Sequence, residues 1–116
     1  MDLEFEKKWQ GVLQNVKNLT DETPDIQAIL FLIGVQELGG KHQKFSKNQK
    51  LDVMHVAICT LLSQYGYYEY EGNDADGWPH FKPTEKLPHL KPMQQNLLMR
   101  QAIVEYFEEE NKTTLP

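Results

Sequence analysis

Apolar residues recur at helical spacing in four stretches of this chain and alternate, strand-like, in one. From about Asp2 to Asn18, Phe5, Trp9, Val12, Leu13 and Val16 keep the three-four spacing of one helix face, with Lys7, Lys8, Gln14 and Lys17 on the other. Asp2, Glu4 and Glu6 sit in the first turns, where the helix dipole favours negative charge. Ile26 to Leu38 is apolar nearly all round and predicts a central core helix, capped by Thr23, begun at Pro24 and stopped by Gly39-Gly40. A buried strand is the rival reading of so short a run, and the Pro24 start and glycine stop favour the helix.

Ser46 with Gln49 three residues on forms a capping-box pattern for a third helix, Lys47 to about Gln64, ended by Gly66. Its apolar row is Leu51, Met54, Ile58, Leu61, Leu62 and Tyr65, widened by Val53 and Ala57. Aromatic alternation then flanks the turn-forming run Gly72-Asn73-Asp74-Ala75-Asp76-Gly77, which predicts a β-hairpin at about 67–82. With Glu71 opposite Trp78, Tyr68, Tyr70, Pro79 and Phe81 share a face and Glu69 stands opposite His80. Pro79 argues for an edge position. A last helix, about Pro92 to Glu109, carries Leu98, Ala102 and Tyr106 beside Met99, Ile103 and Phe107, and 111–116 read as a frayed tail. The expected architecture is mainly α: a four-helix single domain over 1–110, with a β-hairpin inserted between helices 3 and 4. So small a hairpin should rest its aromatic face on the helices.

Composition narrows the function classes. The chain has 116 residues, a length that suits one domain with a core of its own. Hydrophobic residues are 40% of it and charged residues 25%, which argues against a disordered chain. The longest apolar run, Ala28 to Val35, is too short to cross a bilayer, and the acidic N-terminus does not read as an export signal. One cysteine, Cys59, permits no internal disulfide and fits a reducing cytoplasm.

Charge is the sharpest local anomaly. The chain carries a net charge of -5, yet Lys41, Lys44, Lys47 and Lys50 form a run without a single acid. Followed by a helix and a hairpin, this candidate anion-binding segment has the order of a winged helix-turn-helix nucleic-acid binder. Against that, the later exposed positions of the third helix are not basic, and the would-be wing carries Glu69, Glu71, Asp74 and Asp76, which repel phosphate. A solvated loop is the plainer account of the lysines.

The hairpin offers a candidate pocket of Glu69, Tyr70, Asp74, Asp76, Trp78 and His80, ionisable groups beside aromatic walls, although a cross-strand Glu–His pair on a wet face accounts for the same letters. Read as a calcium loop, the acidic turn would need a glutamate where Pro83 stands. His55 and Cys59, one helical turn apart, could share a metal or make a thiolate pair, but no further ligands are marked and a mid-helix thiol behaves as a small hydrophobe. No glycine-rich phosphate loop, nucleophile elbow, zinc spacing or HExxH is present, so no catalytic residue, metal or cofactor is expected.

The segments Lys41-His42-Gln43-Lys44-Phe45-Ser46-Lys47-Asn48-Gln49-Lys50-Leu51-Asp52-Val53-Met54-His55 and Gly72-Asn73-Asp74-Ala75-Asp76-Gly77-Trp78-Pro79-His80 resemble a small uncharacterised family of Bacteroidetes-type bacteria, over most of the chain. The resemblance implies a bacterial cytoplasmic protein and brings no activity, cofactor or functional residue with it. The surplus of large apolar side chains, with two tryptophans, five tyrosines and five phenylalanines, makes a non-enzymatic interaction domain the leading expectation, its partner another protein or a second copy in a homodimer. The alternatives are the nucleic-acid module on the lysine segment and a small-molecule or metal site at the hairpin.

Overall fold

The computed structural model describes residues 3–20, 25–39 and 44–114. They form α1 (Leu3–Thr20), α2 (Ile26–Glu37), α3 (Lys47–Ser63), β1 (Tyr68–Asn73), β2 (Pro79–Pro83) and α4 (Pro92–Thr114). The chain is thus mainly helical, with four helices and a two-stranded antiparallel hairpin between the third and fourth, as the pattern predicts. The predicted cap Thr23, its neighbour Pro24, Gly40 and Lys41 lie outside the described residues. By contact the elements fall into two compact units: α1 with α4, and residues 27–89 with α2, α3 and the hairpin.

In the first unit Trp9, Val12 and Val16 of α1 are buried, following the predicted face, while Phe5 and Leu13 are half-buried. On α4 the buried residues are Ala102, Ile103, Val104 and Tyr106. The guanidinium of Arg100 lies over the Trp9 ring, 5.3 Å from its centroid, and Lys8 Nζ meets Glu108 Oε1 at 3.0 Å. The helical backbone of α4 continues to Thr114, five residues past the predicted end at Glu109. Nothing after Glu109 stops a helix before Pro116, since Glu, Asn, Lys and Thr are all tolerated in one.

In the second unit the capping box of α3 forms as its letters require. Ser46 Oγ accepts from Gln49 N at 3.2 Å, and Gln49 Oε1 accepts from Ser46 N at 2.9 Å. Two expectations about burial change. Helix α2 is not enclosed all round: Ile29, Leu30, Ile33 and Gly34 are buried, whereas Ala28 and Leu32 are exposed. On α3 Leu61 and Leu62 are buried as predicted, but so are Val53 and Ala57, which the pattern placed at the margin, and Val56, which it left out, whereas Leu51 is 58% exposed.

Gly34 bears on the second of these. A Cβ there would stand 2.6 Å from Val53 Cγ1 and 2.9 Å from the Val53 carbonyl carbon, so α2 and α3 meet backbone to backbone at this point. The contact needs a glycine on one side and rotates Val53 into the centre of the other. Small residues at the crossing thus decide which apolar row is inside, a property that hydrophobic spacing does not encode.

The hairpin is pinned at its base to the end of α3. Thr84 Oγ1 donates to Gly66 O at 2.6 Å, and Thr84 N donates to Tyr67 O at 3.0 Å. Its register differs from the prediction. Tyr70 pairs with Phe81, Glu69 with Lys82 and Gly72 with His80, and the ladder shifts between Tyr70 and Gly72 so that Glu71 is the extra residue of a bulge. Gly72 takes φ 107°, a backbone state that only glycine adopts cheaply, and so permits the shift. The predicted Glu69–His80 pair is therefore replaced by Glu69 with Lys82, their charged atoms 4.0 Å apart. Because the slip is an even one, Tyr68, Tyr70, Pro79 and Phe81 still share a face.

Candidate functional site

Asp74 builds the hairpin turn and, with it, one wall of a cleft. Its Oδ1 accepts from Asp76 N at 2.9 Å and from Trp78 N at 3.0 Å, and its Oδ2 meets His80 Nε2 at 2.9 Å. The hydrogen bond with His80 and those from the two backbone amides hold the Asp74 carboxyl below the usual carboxylate range. This arrangement accounts for Asp74 as a turn-former, since its carboxylate caps the chain's own amides.

Trp78 is seated by a chain of rings. It meets Phe45 edge-on at 6.3 Å, and Phe45 meets Phe31 of α2 edge-on at 5.8 Å. With Trp78 fixed, a cleft of about 420 Å³ opens between α3 and the turn and β2 side of the hairpin. Helix α3 contributes Gln49, Asp52, His55 and Val56; the hairpin contributes Asp74, Asp76, Trp78, Pro79, His80 and Phe81. Three carboxylates and two imidazoles thus surround an aromatic floor, a lining suited to a small cationic ligand.

Of the six residues predicted for this pocket, Asp74, Asp76, Trp78 and His80 line the cleft together. Glu69 and Tyr70 do not; they sit further along β1, where Tyr70 is 55% exposed and its ring tilts against Phe81 at 5.6 Å. The cleft residues that sequence reasoning missed are those of α3. Asp52, His55 and Val56 have the i, i+3, i+4 spacing of one helix face, but nothing local says that this face looks at the hairpin.

His55 also reaches Cys59, its Nε2 3.4 Å from the Sγ. Burial pushes the Cys59 thiol up to about 11, so the pair holds a protonated sulfur and no nucleophile at neutral pH. The same burial, followed by the nearness of Cys59, raises Tyr68. Among the described residues no group of three or more His, Cys, Asp or Glu side chains is placed to hold a metal ion.

Lys44, Lys47 and Lys50, the described members of the lysine run, are all exposed at the start of α3. Two free amides of that helix start are already engaged, one by each half of the capping box. Among the described residues no helix is long and apolar enough to cross a membrane. Comparison with protein-family models, curated proteins and solved structures returns no match to this chain.

Proposed function

We propose that this chain is a non-enzymatic protein-interaction domain of the bacterial cytoplasm, engaging another protein or a second copy of itself through its hairpin. The observation that carries this reading is Tyr70. A large aromatic side chain, 55% exposed, is held on β1 by the Phe81 ring and by its own hydroxyl bond to Asn73 Oδ1, in a position where it contributes little to any core. Aromatic side chains kept rigid and wet are typical anchors of protein contacts, because they bury much area for little lost freedom.

The test is a photoreactive benzoylphenylalanine placed at position 70 and, as a control, at exposed Gln10 of α1, with crosslinking in living cells. Discrete adducts from position 70 and none from position 10 are expected, and an adduct of twice the chain's mass would identify a second copy. The same smear from both positions, or no adduct at 70, would overturn the reading.

A second reading rests on the cleft. Its three carboxylates and aromatic floor favour a small organic cation, and a calorimetric titration with simple aromatic amines checks it. Heats equal to those of an Asp52→Asn, Asp76→Asn variant would remove that reading.

A further inference from the structure

The two strands of the hairpin differ in what they offer to a third. Tyr67 O accepts from Thr84 N and Trp78 O accepts from Asp74 N, so these residues turn their backbone groups across the ladder. In an antiparallel pair the inward and outward residues alternate. Counting along the register, Glu69 faces Lys82 inward and Gly72 faces His80 inward. Tyr68 and Tyr70 therefore point their N–H and C=O groups outward on β1, and Pro79, Phe81 and Pro83 are the outward residues of β2.

Two of those three β2 positions are prolines, which have no N–H to give, so that side of the sheet is closed to strand pairing. The β1 side keeps every donor and acceptor. Among the described residues no hydrogen bond outside the hairpin reaches the backbone of Tyr68 or Tyr70. The exposed Tyr70 ring stands beside this open row, fixed by its bond to Asn73.

Charge selects the occupant. Residues 68–83 hold four carboxylates, those of Glu69, Glu71, Asp74 and Asp76, against Lys82 as the single lysine. A second copy pairing so as to use both Tyr68 and Tyr70 would set Glu69 directly opposite its own counterpart, which is unfavourable. We infer that β1 accepts an extended, lysine- or arginine-bearing segment of another protein as a third strand, with backbone hydrogen bonds at Tyr68 and Tyr70, and with Glu69 and Glu71 reading the positive charges. This rests on the reading of the chain as an interaction domain and names the partner's chemistry.

The experiment is a fluorescence anisotropy titration with three labelled probes: a short peptide alternating lysine and valine, the same peptide methylated on every backbone nitrogen, and a peptide alternating glutamate and valine. The first is expected to saturate in the micromolar range, with the other two at least about tenfold weaker. Tyr70→Pro and Tyr70→Ala both remove the ring and its bond to Asn73, and only the proline also removes the outward N–H, which lies off the β1–β2 ladder. The proline variant should bind the lysine peptide about tenfold more weakly than the alanine variant, both judged folded by circular dichroism. Should Tyr70→Pro fail to fold, the Glu69→Lys, Glu71→Lys variant answers instead, by switching preference to the glutamate peptide.

Equal binding of the methylated peptide, indifference to peptide charge, or no binding up to about 1 mM would each overturn the inference. So would a wild-type dimer that Tyr70→Pro dissolves, which would give the position to a second copy. Adducts from position 70 without peptide binding would sink strand addition and leave the interaction domain standing, whereas absence of those adducts would sink the reading beneath both.

Discussion

The contact of α2 with α3 and the hairpin that follows α3 are built on opposite plans, although they lie in one compact unit of the chain. The two helices bury aliphatic side chains, Ile29, Ile33, Val53 and Leu61 being almost fully buried, and Gly34 lets their backbones meet at Val53. The hairpin is made of turn hydrogen bonds and aromatic edges, with Asp74 accepting from two amides and a ring nitrogen while its own surface stays wet. The first region is specified by volume and the second by bonding geometry. The second holds the polar groups and half-exposed rings that a core cannot use, which is why the proposed contact is placed there.

Four measurements sharpen that contrast, and one could break it. Leu61→Ala should cost the most, about 2–5 kcal/mol in chemical denaturation, because truncating a fully buried leucine leaves a cavity in the core. Gly34→Ala comes next. The added methyl meets Val53 backbone, and a loss of about 1–3 kcal/mol is expected despite the better helix propensity of alanine. A neutral or stabilising result there would break the comparison, since it would mean that the helices do not meet closely. Ser46→Ala should cost about 1 kcal/mol through the lost cap.

The two titrations are smaller still and act locally. Cys59 ionises later in the folded chain than in the unfolded one, so stability should decline as pH rises from the ordinary thiol range towards about 11. At pH near 8 the native thiol should react with a disulfide reagent only on unfolding, seen as a lag that denaturant abolishes. Asp74 has the opposite sign. Its carboxyl is held below the usual range, so its contribution is complete above that range and is lost progressively as pH falls from the ordinary carboxylate range through the lowered value. The Trp78 amide resonance, whose N–H donates to Asp74, should accordingly titrate with a midpoint below that of an ordinary aspartate.

What the sequence reveals follows the same division. Helix positions, the capping box at Ser46 and Gln49, and the hairpin's existence are written in local signals. The buried side of α3 is not, because Gly34 of another helix decides it. Nor is the hairpin register: alternation fixes which residues share a face, and it survives the bulge at Glu71, but the pairing partner of His80 depends on where that bulge falls. For the cleft, four of the six predicted pocket residues meet because the turn brings them together locally. Asp52 and His55 complete it through a long-range approach of α3 that no spacing along the chain announces. Phe45, which seats Trp78, is likewise visible only in three dimensions.

The prolines at 79 and 83 carry a last consequence. A small sheet with two receptive flanks can propagate, each newcomer templating the next until a fibre grows. Here one flank is closed by prolines, so copies of this ribbon cannot join β1 to β2 in an open-ended polymer.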